Sequence, residues 1–225
     1  MMNAIVVFGA PGSGKGTQAK LLSECLGIPH ISTGEVLRER IRKGESLPSG
    51  VLATMKAGDL VPDQVVNEIV EQRLCQPDAA QGFILDGYPR TLSQAERLHQ
   101  WLGARGERAV VVFLEIDYNI IITRLAGRRQ CPQCRTLYNL ISQPPRVDEL
   151  CDLDGERLVS RVDDSEAVIR ERLDAYERET RPVLEFYRTN GSRVIEVDAG
   201  QGTPESIFER LCQAMEEDDR SKNCR

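Results

Sequence analysis

Short, wholly apolar runs alternate along the chain with longer stretches whose apolar residues recur at helical spacing. Ile5–Phe8, Phe83–Leu85, Val110–Glu115 and Val194–Val197 are runs of the first kind. Unbroken apolar content, in place of an apolar–polar alternation, predicts strands of a parallel sheet covered on both faces. Between them, Gly14–Leu26, Asp63–Leu74, Ser93–Leu102 and Tyr118–Leu125 carry helical patterns. A longer pattern runs from Ser165 towards Tyr187, with Ile169, Leu173 and Tyr176 on one face and Ser165 as a natural N-cap. Pro182 is expected to bend or divide that helix.

Two stretches break the alternation. Residues 33–61 have helical character through "GEVLRERIRKG" and "SGVLATMKAG" but add nothing to the sheet. Residues 127–164 are rich in Arg, Cys, Pro and Asp and read as a small β-rich insert. Neither has the apolar content of a core. The predicted organisation is therefore one α/β body made of 1–32, 62–126 and 165–225, with two excursions at 33–61 and 127–164. The last ten residues, "EEDDRSKNCR", are polar and expected to fray.

Composition narrows this little. With 225 residues, 40% hydrophobic and 28% charged, the chain can bury a core and stay folded. A net charge of −6 argues against a protein that coats nucleic acid. No apolar run approaches the roughly 18 residues of a membrane span. "MMNAIVVFGA" lacks the basic flank of a signal peptide, so a cytoplasmic location is expected, with Met1 and Met2 both open as the start. Seven cysteines, an odd count, do not suggest a disulfide framework. Cys25, Cys75 and Cys212 fall in helical patterns and are expected to be buried free thiols, while Cys224 lies in the polar tail.

The chemistry begins at "GAPGSGKGTQ", Gly9–Gln18, a glycine-rich turn between a strand and a helix. Gly9, Gly12 and Gly14, with Ser13 between the last two, permit backbone angles that bend N–H groups towards one concave spot. The helix start adds more, and Lys15 supplies a mobile cation for phosphate oxygens. Most such loops place Ser or Thr directly after the lysine to bind magnesium. Here Gly16 intervenes before Thr17. That alone does not separate decay from variation.

Four further stretches decide it: "ISTGEVLRE", "GFILDGYPRTLSQA", "LAGRRQCPQC" and "RVDDSEAVIRERL". Together with the loop they resemble, in order and spacing, the bacterial long-lid adenylate kinases, from Ile5 to about Gly202. In that family Gly16 looks like a normal feature of the loop. The resemblance implies a P-loop nucleoside monophosphate kinase fold: a five-stranded parallel sheet flanked by helices, a helical acceptor insert and a small zinc-bearing lid. It also implies Mg-dependent transfer from ATP to AMP, giving two ADP, by a monomer with no nucleic-acid or membrane partner. The Gly12–Thr17 loop and Lys15 would hold ATP, with Arg124 near its base, Arg128 on its phosphates, Leu137 and Tyr138 lining the lid side, and Gln201 contacting adenine through its backbone. Arg38 and Arg90 would hold the AMP phosphate. Thr33, Gly87 and Gln94, with Tyr88 and Pro89 beside them, would form the acceptor pocket, closed over by Asp59, Leu60 and Val61. Arg161 and Arg172 would reach the transferring group, and Asp86 would order magnesium-bound water. Arginine suits such work because its planar fork grips phosphate bidentately and stays charged. One departure is Glu35, where the family usually has Asp.

"CPQC", sixteen residues, then "CDLD" sets Cys131, Cys134 and Cys151 at the spacing of two zinc knuckles. Asp154 is the best fourth ligand, and Asp152 a second candidate. Some relatives carry a zinc lid with Asp in the last position, so the resemblance supports structural zinc. A short insert with little core of its own gains from such a staple. His30 and His99 lie outside it and read as structural. Rival readings are a kinase for UMP, CMP or GMP, a zinc-ribbon binding module regulated by nucleotide, and a GTP switch. The last lacks an Asn-Lys-x-Asp base-reading stretch.

Overall fold

The structure is a computed structural model that describes residues 3–45, 47–161 and 164–223. Val162 and Asp163 of the "RVDD" stretch, the Met1–Met2 start and Cys224 lie outside these residues. Five strands form one parallel sheet: β1 (Asn3–Gly9), β2 (His30–Ser32), β3 (Gly82–Asp86), β4 (Val110–Glu115) and β7 (Arg193–Asp198), in the order β2-β3-β1-β4-β7. Phe83, Ile84 and Leu85 have no exposed surface, which is why the strands read as unbroken apolar runs. On one face Val6, Phe8, Phe83, Leu85 and Val111 pack with Leu98, Leu102, Val183 and Tyr187. On the other, Ile5, Val7, Ile84, Val112 and Leu114 pack with Ala19, Leu22, Ile207 and Leu211.

The helices are α1 (Lys15–Leu26), α2 (Thr33–Arg42), α3 (Val51–Ala57), α4 (Asp63–Leu74), α5 (Leu92–Gly103), α6 (Tyr118–Ala126), α7 (Glu166–Ala175), α8 (Arg181–Thr189) and α9 (Pro204–Asn223). A short antiparallel pair, β5 (Arg128–Gln130) with β6 (Leu137–Asn139), lies in the cysteine-bearing stretch. The long pattern after Ser165 is divided as expected, but not by a break. Five residues of π-helix, Tyr176–Thr180, join α7 to α8 immediately before Pro182. A wider turn there accommodates a residue that offers no N–H and crowds the preceding carbonyls. Ser165 does occupy the N-cap of α7, although its side chain makes no capping bond.

Two expectations fail. The polar C-terminus does not fray from residue 216 but continues α9 to Asn223. Ile207 and Leu211, one turn apart on the sheet, anchor that helix. Cys25 and Cys75 are exposed and Cys212 is only partly covered, because each falls on or beside the solvent side of its helix. His30–Ser32 supplies the fifth strand that the resemblance implies, and its three residues are too few to reveal it by periodicity.

Candidate active site

The parallel sheet delivers β1 and β3 side by side, and both end at one cleft. After β1 the chain turns through Gly14, whose φ of 94° is a conformation that side chains disfavour, and enters α1 at Lys15. Lys15 Nζ donates to the carbonyls of Gly9 (2.7 Å) and Ala10 (2.8 Å), so it curls back over the loop. The residue is only part-buried, yet its ammonium sits deep among protein atoms. Burial pushes its pKa from 10.5 down to about 7; Arg90, Arg172 and Arg128 push the same way, and Asp86 opposes them. Three arginines and an acid therefore bear on the loop: Asp86 at the end of β3, Arg90 in the turn after it, Arg128 on β5 and Arg172 on α7.

Gly16 has a steric reason. A Cβ on it would stand 3.3 Å from Asp86 Oδ2. A side chain there would press on the carboxylate that ends β3, which would have to give by a few tenths of an ångström. Burial alone would raise the Asp86 pKa, but His30, Lys15 and Arg90 outweigh it and the net shift is downward. His30 Nε2 lies 3.5 Å from Asp86 Oδ2, so this histidine touches the site and does more than fill the core. His99 packs edge-on against Phe186.

One cavity gathers most of the residues expected on the acceptor side. Thr33, Arg38, Asp59, Leu60, Val61, Gly87, Arg90, Gln94 and Arg172 line it, over an apolar floor that includes Leu37, Met55 and Val66. Gly87 (φ 79°) is held on both sides. Its carbonyl accepts from Thr33 Oγ1 and from Arg90 Nε, each at 2.9 Å, and a Cβ would meet Arg90 Nη2 at 3.0 Å. Gln94 is buried. Its Oε1 accepts from the Arg90 N–H (2.7 Å), and its Nε2 donates to Asp63 Oδ1 (2.7 Å), which fixes the amide. Asp63 also accepts from Thr91 Oγ1 at 2.7 Å, a positioning role the sequence did not disclose. Tyr88 turns into the core, its hydroxyl donating to Asn67 Oδ1 at 2.8 Å. Neither it nor Pro89 lines the cavity.

A second missed residue orders the other arginines. Asp164, 3% exposed, accepts from Arg128 Nε (2.7 Å) and Nη2 and from Arg172 Nη1 (3.2 Å). Two guanidinium forks on one buried carboxylate are held rigidly. Arg161 Nη2 donates to Glu35 Oε1 at 2.9 Å. Glu35 stands in the first turn of α2, where a negative charge suits the helix dipole.

The remaining expected residues are more dispersed. Arg124 is part-buried at the end of α6, where burial lowers its pKa and Asp198 opposes the shift. Leu137 is exposed. Tyr138 is buried among Cys131, Cys151 and Leu158, its hydroxyl accepting from the Asp152 N–H at 2.8 Å. The carbonyl of Gln201 accepts from Arg210 Nη2 at 2.8 Å.

Cys131, Cys134, Cys151 and Asp154 offer donor atoms that all lie within 4.8 Å of one another. Cys131 Sγ is 3.3 Å from Asp154 Oδ2 and Cys134 Sγ is 3.4 Å from Cys151 Sγ. Tetrahedral zinc, with bonds of about 2.0 to 2.3 Å, needs edges only slightly longer than these. Each cysteine pair is set by a matching turn: Arg135 N–H returns to the Cys131 carbonyl (3.2 Å) and Gly155 N–H to the Cys151 carbonyl (2.9 Å). The Glu156 N–H, with help from the thiols, holds the Asp154 pKa down at about 2, so a carboxylate faces three sulfurs. Such a donor set fits a thiophilic divalent cation. Asp152 is engaged elsewhere, accepting from the Arg146 N–H.

Comparison with known proteins agrees with this arrangement. The family described as adenylate kinase matches residues 7–192. The chain is 45% identical to an adenylate kinase of Moorella thermoacetica over 205 residues, 91% of this chain and 94% of that one. It is 46% identical to an adenylate kinase of Thermotoga maritima over 193 residues, 85% and 88% of the two chains. It is 47% identical to one from Syntrophotalea carbinolica over 188 residues, 83% and 87%.

Proposed function

Given that the chain belongs to the adenylate kinase family and is a phosphotransferase moving a phosphoryl group between ATP and AMP, we propose the following division of labour among its residues. The body of 1–32, 62–126 and 165–225 is the rigid frame. Residues 33–61 receive AMP, and 127–164 close over ATP as a metal-stapled lid. The observation that carries this reading is the single cavity joining Thr33, Gly87 and Gln94 to Arg38, Arg90 and Arg172. Two of those arginines, Arg90 and Arg172, also bear on Lys15 in the phosphate loop.

In this reading the loop N–H groups of Gly12–Thr17 cradle the ATP phosphates, and Lys15 regains its proton when they arrive. Arg128 and Arg172, braced by Asp164, and Arg161, braced by Glu35, face the transferring group. Fixed cations are worth most where charge spreads in the transition state, because they need not reorganise during reaction. Arg38 and Arg90 hold the acceptor phosphate in line. Gln94 is fixed with one acceptor and one donor spoken for, which leaves the second lone pair of Oε1 and the second N–H of Nε2. That pair complements an adenine edge. Magnesium, arriving with ATP, would supply charge neutralisation between the phosphates, and Asp86 stands where it can hold its water. Closure excludes bulk water, which would otherwise compete as acceptor.

Zinc is the metal best suited to three thiolates and one carboxylate, and its role in the lid is structural because all four positions are protein ligands. Arg124, Leu137 and Gln201 fit the adenine side of ATP. Tyr138 supports the lid from inside. No described helix is long and apolar enough to cross a membrane. A cytoplasmic monomer acting on free nucleotides is the reading consistent with that and with the net charge.

The test is phosphoryl transfer from Mg–ATP to AMP, UMP, CMP and GMP, with water as the control acceptor. Strong preference for AMP with negligible hydrolysis is expected. Preference for another monophosphate would overturn the role given to Thr33 and Gln94.

A further inference from the structure

The Glu35 carboxylate collects guanidinium groups from three parts of the chain. Its Oε1 accepts from Arg38 Nη2 (2.6 Å) and Arg161 Nη2 (2.9 Å), and its Oε2 lies 3.6 Å from Arg135 Nη1. Arg38 belongs to the same helix. Arg161 and Arg135 come from the second excursion, Arg135 directly after Cys134 in the first cysteine turn. Gln130 ties those two together: its Oε1 accepts from Arg161 Nε (3.0 Å), and its Nε2 donates to the Arg135 carbonyl (3.2 Å). The contacts form a closed ring, Glu35–Arg161–Gln130–Arg135–Glu35, that crosses twice between the two excursions. Gln130 is buried, so an amide engaged at both ends resists rotation there.

Arg135 is also conformationally unusual. Its φ is 68°, a left-handed backbone that disfavours any residue with a Cβ. Backbone comfort does not account for an arginine at this place. Its side chain reaches Glu35 through Nη1 while Nε is buried without a hydrogen-bond partner.

We propose that Arg135 and Gln130 are positioning residues for the transfer. They dock the cysteine turn of the lid onto Glu35 of the acceptor insert and hold Arg161 by its Nε edge, so that its guanidinium plane is fixed beside the acceptor site. The extra reach of glutamate at position 35 lets one carboxylate serve arginines on its own helix and on the lid at once. Acceptor binding and lid docking are thereby coupled through side chains that need not touch the nucleotide. The inference rests on the reading that the Glu35 side of the cleft receives AMP.

Arg135→Gly is the informative variant, because glycine suits the left-handed backbone and keeps the turn. Steady-state KM values for AMP and ATP would be measured with melting temperatures for the wild type, Arg135→Gly, Arg135→Lys and Glu35→Gln, and for the Arg135→Gly/Glu35→Gln double variant. The expected result is a KM for AMP raised on the order of threefold in Arg135→Gly, the scale of a partly exposed ion pair, with KM for ATP and the melting temperature little changed. Arg135→Lys should recover part of the loss. The double variant should be no worse than Glu35→Gln alone. An unchanged KM for AMP, an equal rise in both KM values, or additive losses would overturn the inference while leaving wild-type turnover of AMP, and so the acceptor reading, intact. A wild-type enzyme that transfers nothing to AMP would overturn both.

Discussion

At the scale of single residues the cleft is governed by where charge is buried. Lys15 is held at about 7 by enclosure and by neighbouring arginines, well below its ordinary 10.5. The unfolded chain therefore binds more protons than the ligand-free folded protein between those values, and stability contributed by this group rises with pH from about 7 towards 10. Phosphate arriving at Lys15 reverses the shift. ATP binding at pH 8 should take up close to one proton, about the full charge of one restored lysine. Titration calorimetry in two buffers of different ionisation enthalpy would read this directly, and identical enthalpies in both would count against it. Asp164 gives a second expectation. Asp164→Asn removes the anion that braces Arg128 and Arg172, and kcat should fall about tenfold to a hundredfold, less than the roughly 100- to 1,000-fold lost when a donor that itself contacts the transition state is removed. A near-normal kcat with both KM values raised would instead make the residue a ground-state binder. Of these residues the sequence disclosed Lys15 and the arginines, because loop and fork chemistry leave local signatures. Asp63, Asp164 and His30 leave none: a carboxylate or imidazole becomes a brace only through what the sheet places beside it.

At the scale of elements, legibility followed length and burial. Asp63–Leu74 and Val110–Glu115 have the bounds that their patterns predict, because each carries a full period of buried residues. The three-residue strand His30–Ser32 carries too little pattern to stand out, yet it sets His30 against Asp86 and starts α2 with Thr33 in the site. Helix α9 did have a signal in Ile207 and Leu211, masked by the charged residues that follow. The cysteine cluster was legible for another reason, since metal-ligand spacing survives without any surrounding periodicity. Its energetic consequence follows from its size. Cys131, Tyr138, Cys151 and Leu158 form a core of four residues, too small to hold the insert by burial alone. Cys131→Ser, or chelation of the wild type, should abolish metal content and lower the melting temperature of the lid, read by hydrogen exchange across 127–161. Unchanged protection after complete metal loss would show that the two turns and the β5–β6 pair suffice.

At the scale of the whole molecule, an acidic protein concentrates its positive charge in one cleft. The net charge is −6, yet Lys15, Arg38, Arg90, Arg128, Arg161 and Arg172 converge on one cleft, with Glu35, Asp86 and Asp164 set among them. The two excursions bring these cations from chain positions more than a hundred residues apart, and they already touch the frame. A Cβ at Gly58, which closes α3, would lie 3.0 Å from Val168 on α7. The 33–61 stretch therefore rests against the same helix that carries Arg172. Such an arrangement would steer small anions inward. Salt should consequently weaken nucleotide capture more than turnover. Raising ionic strength from about 0.02 to 0.2 M shortens the screening length from roughly 20 to 7 Å, so kcat/KM for AMP should drop severalfold while kcat, measured with both nucleotides saturating, changes little. If residues 33–61 and 127–164 close over the nucleotides as proposed, the reacting charges are buried among fixed partners and added ions no longer reach them. A parallel fall in kcat would mean that closure itself depends on exposed ion pairs, and the cleft would then be held shut from its rim and not from its centre.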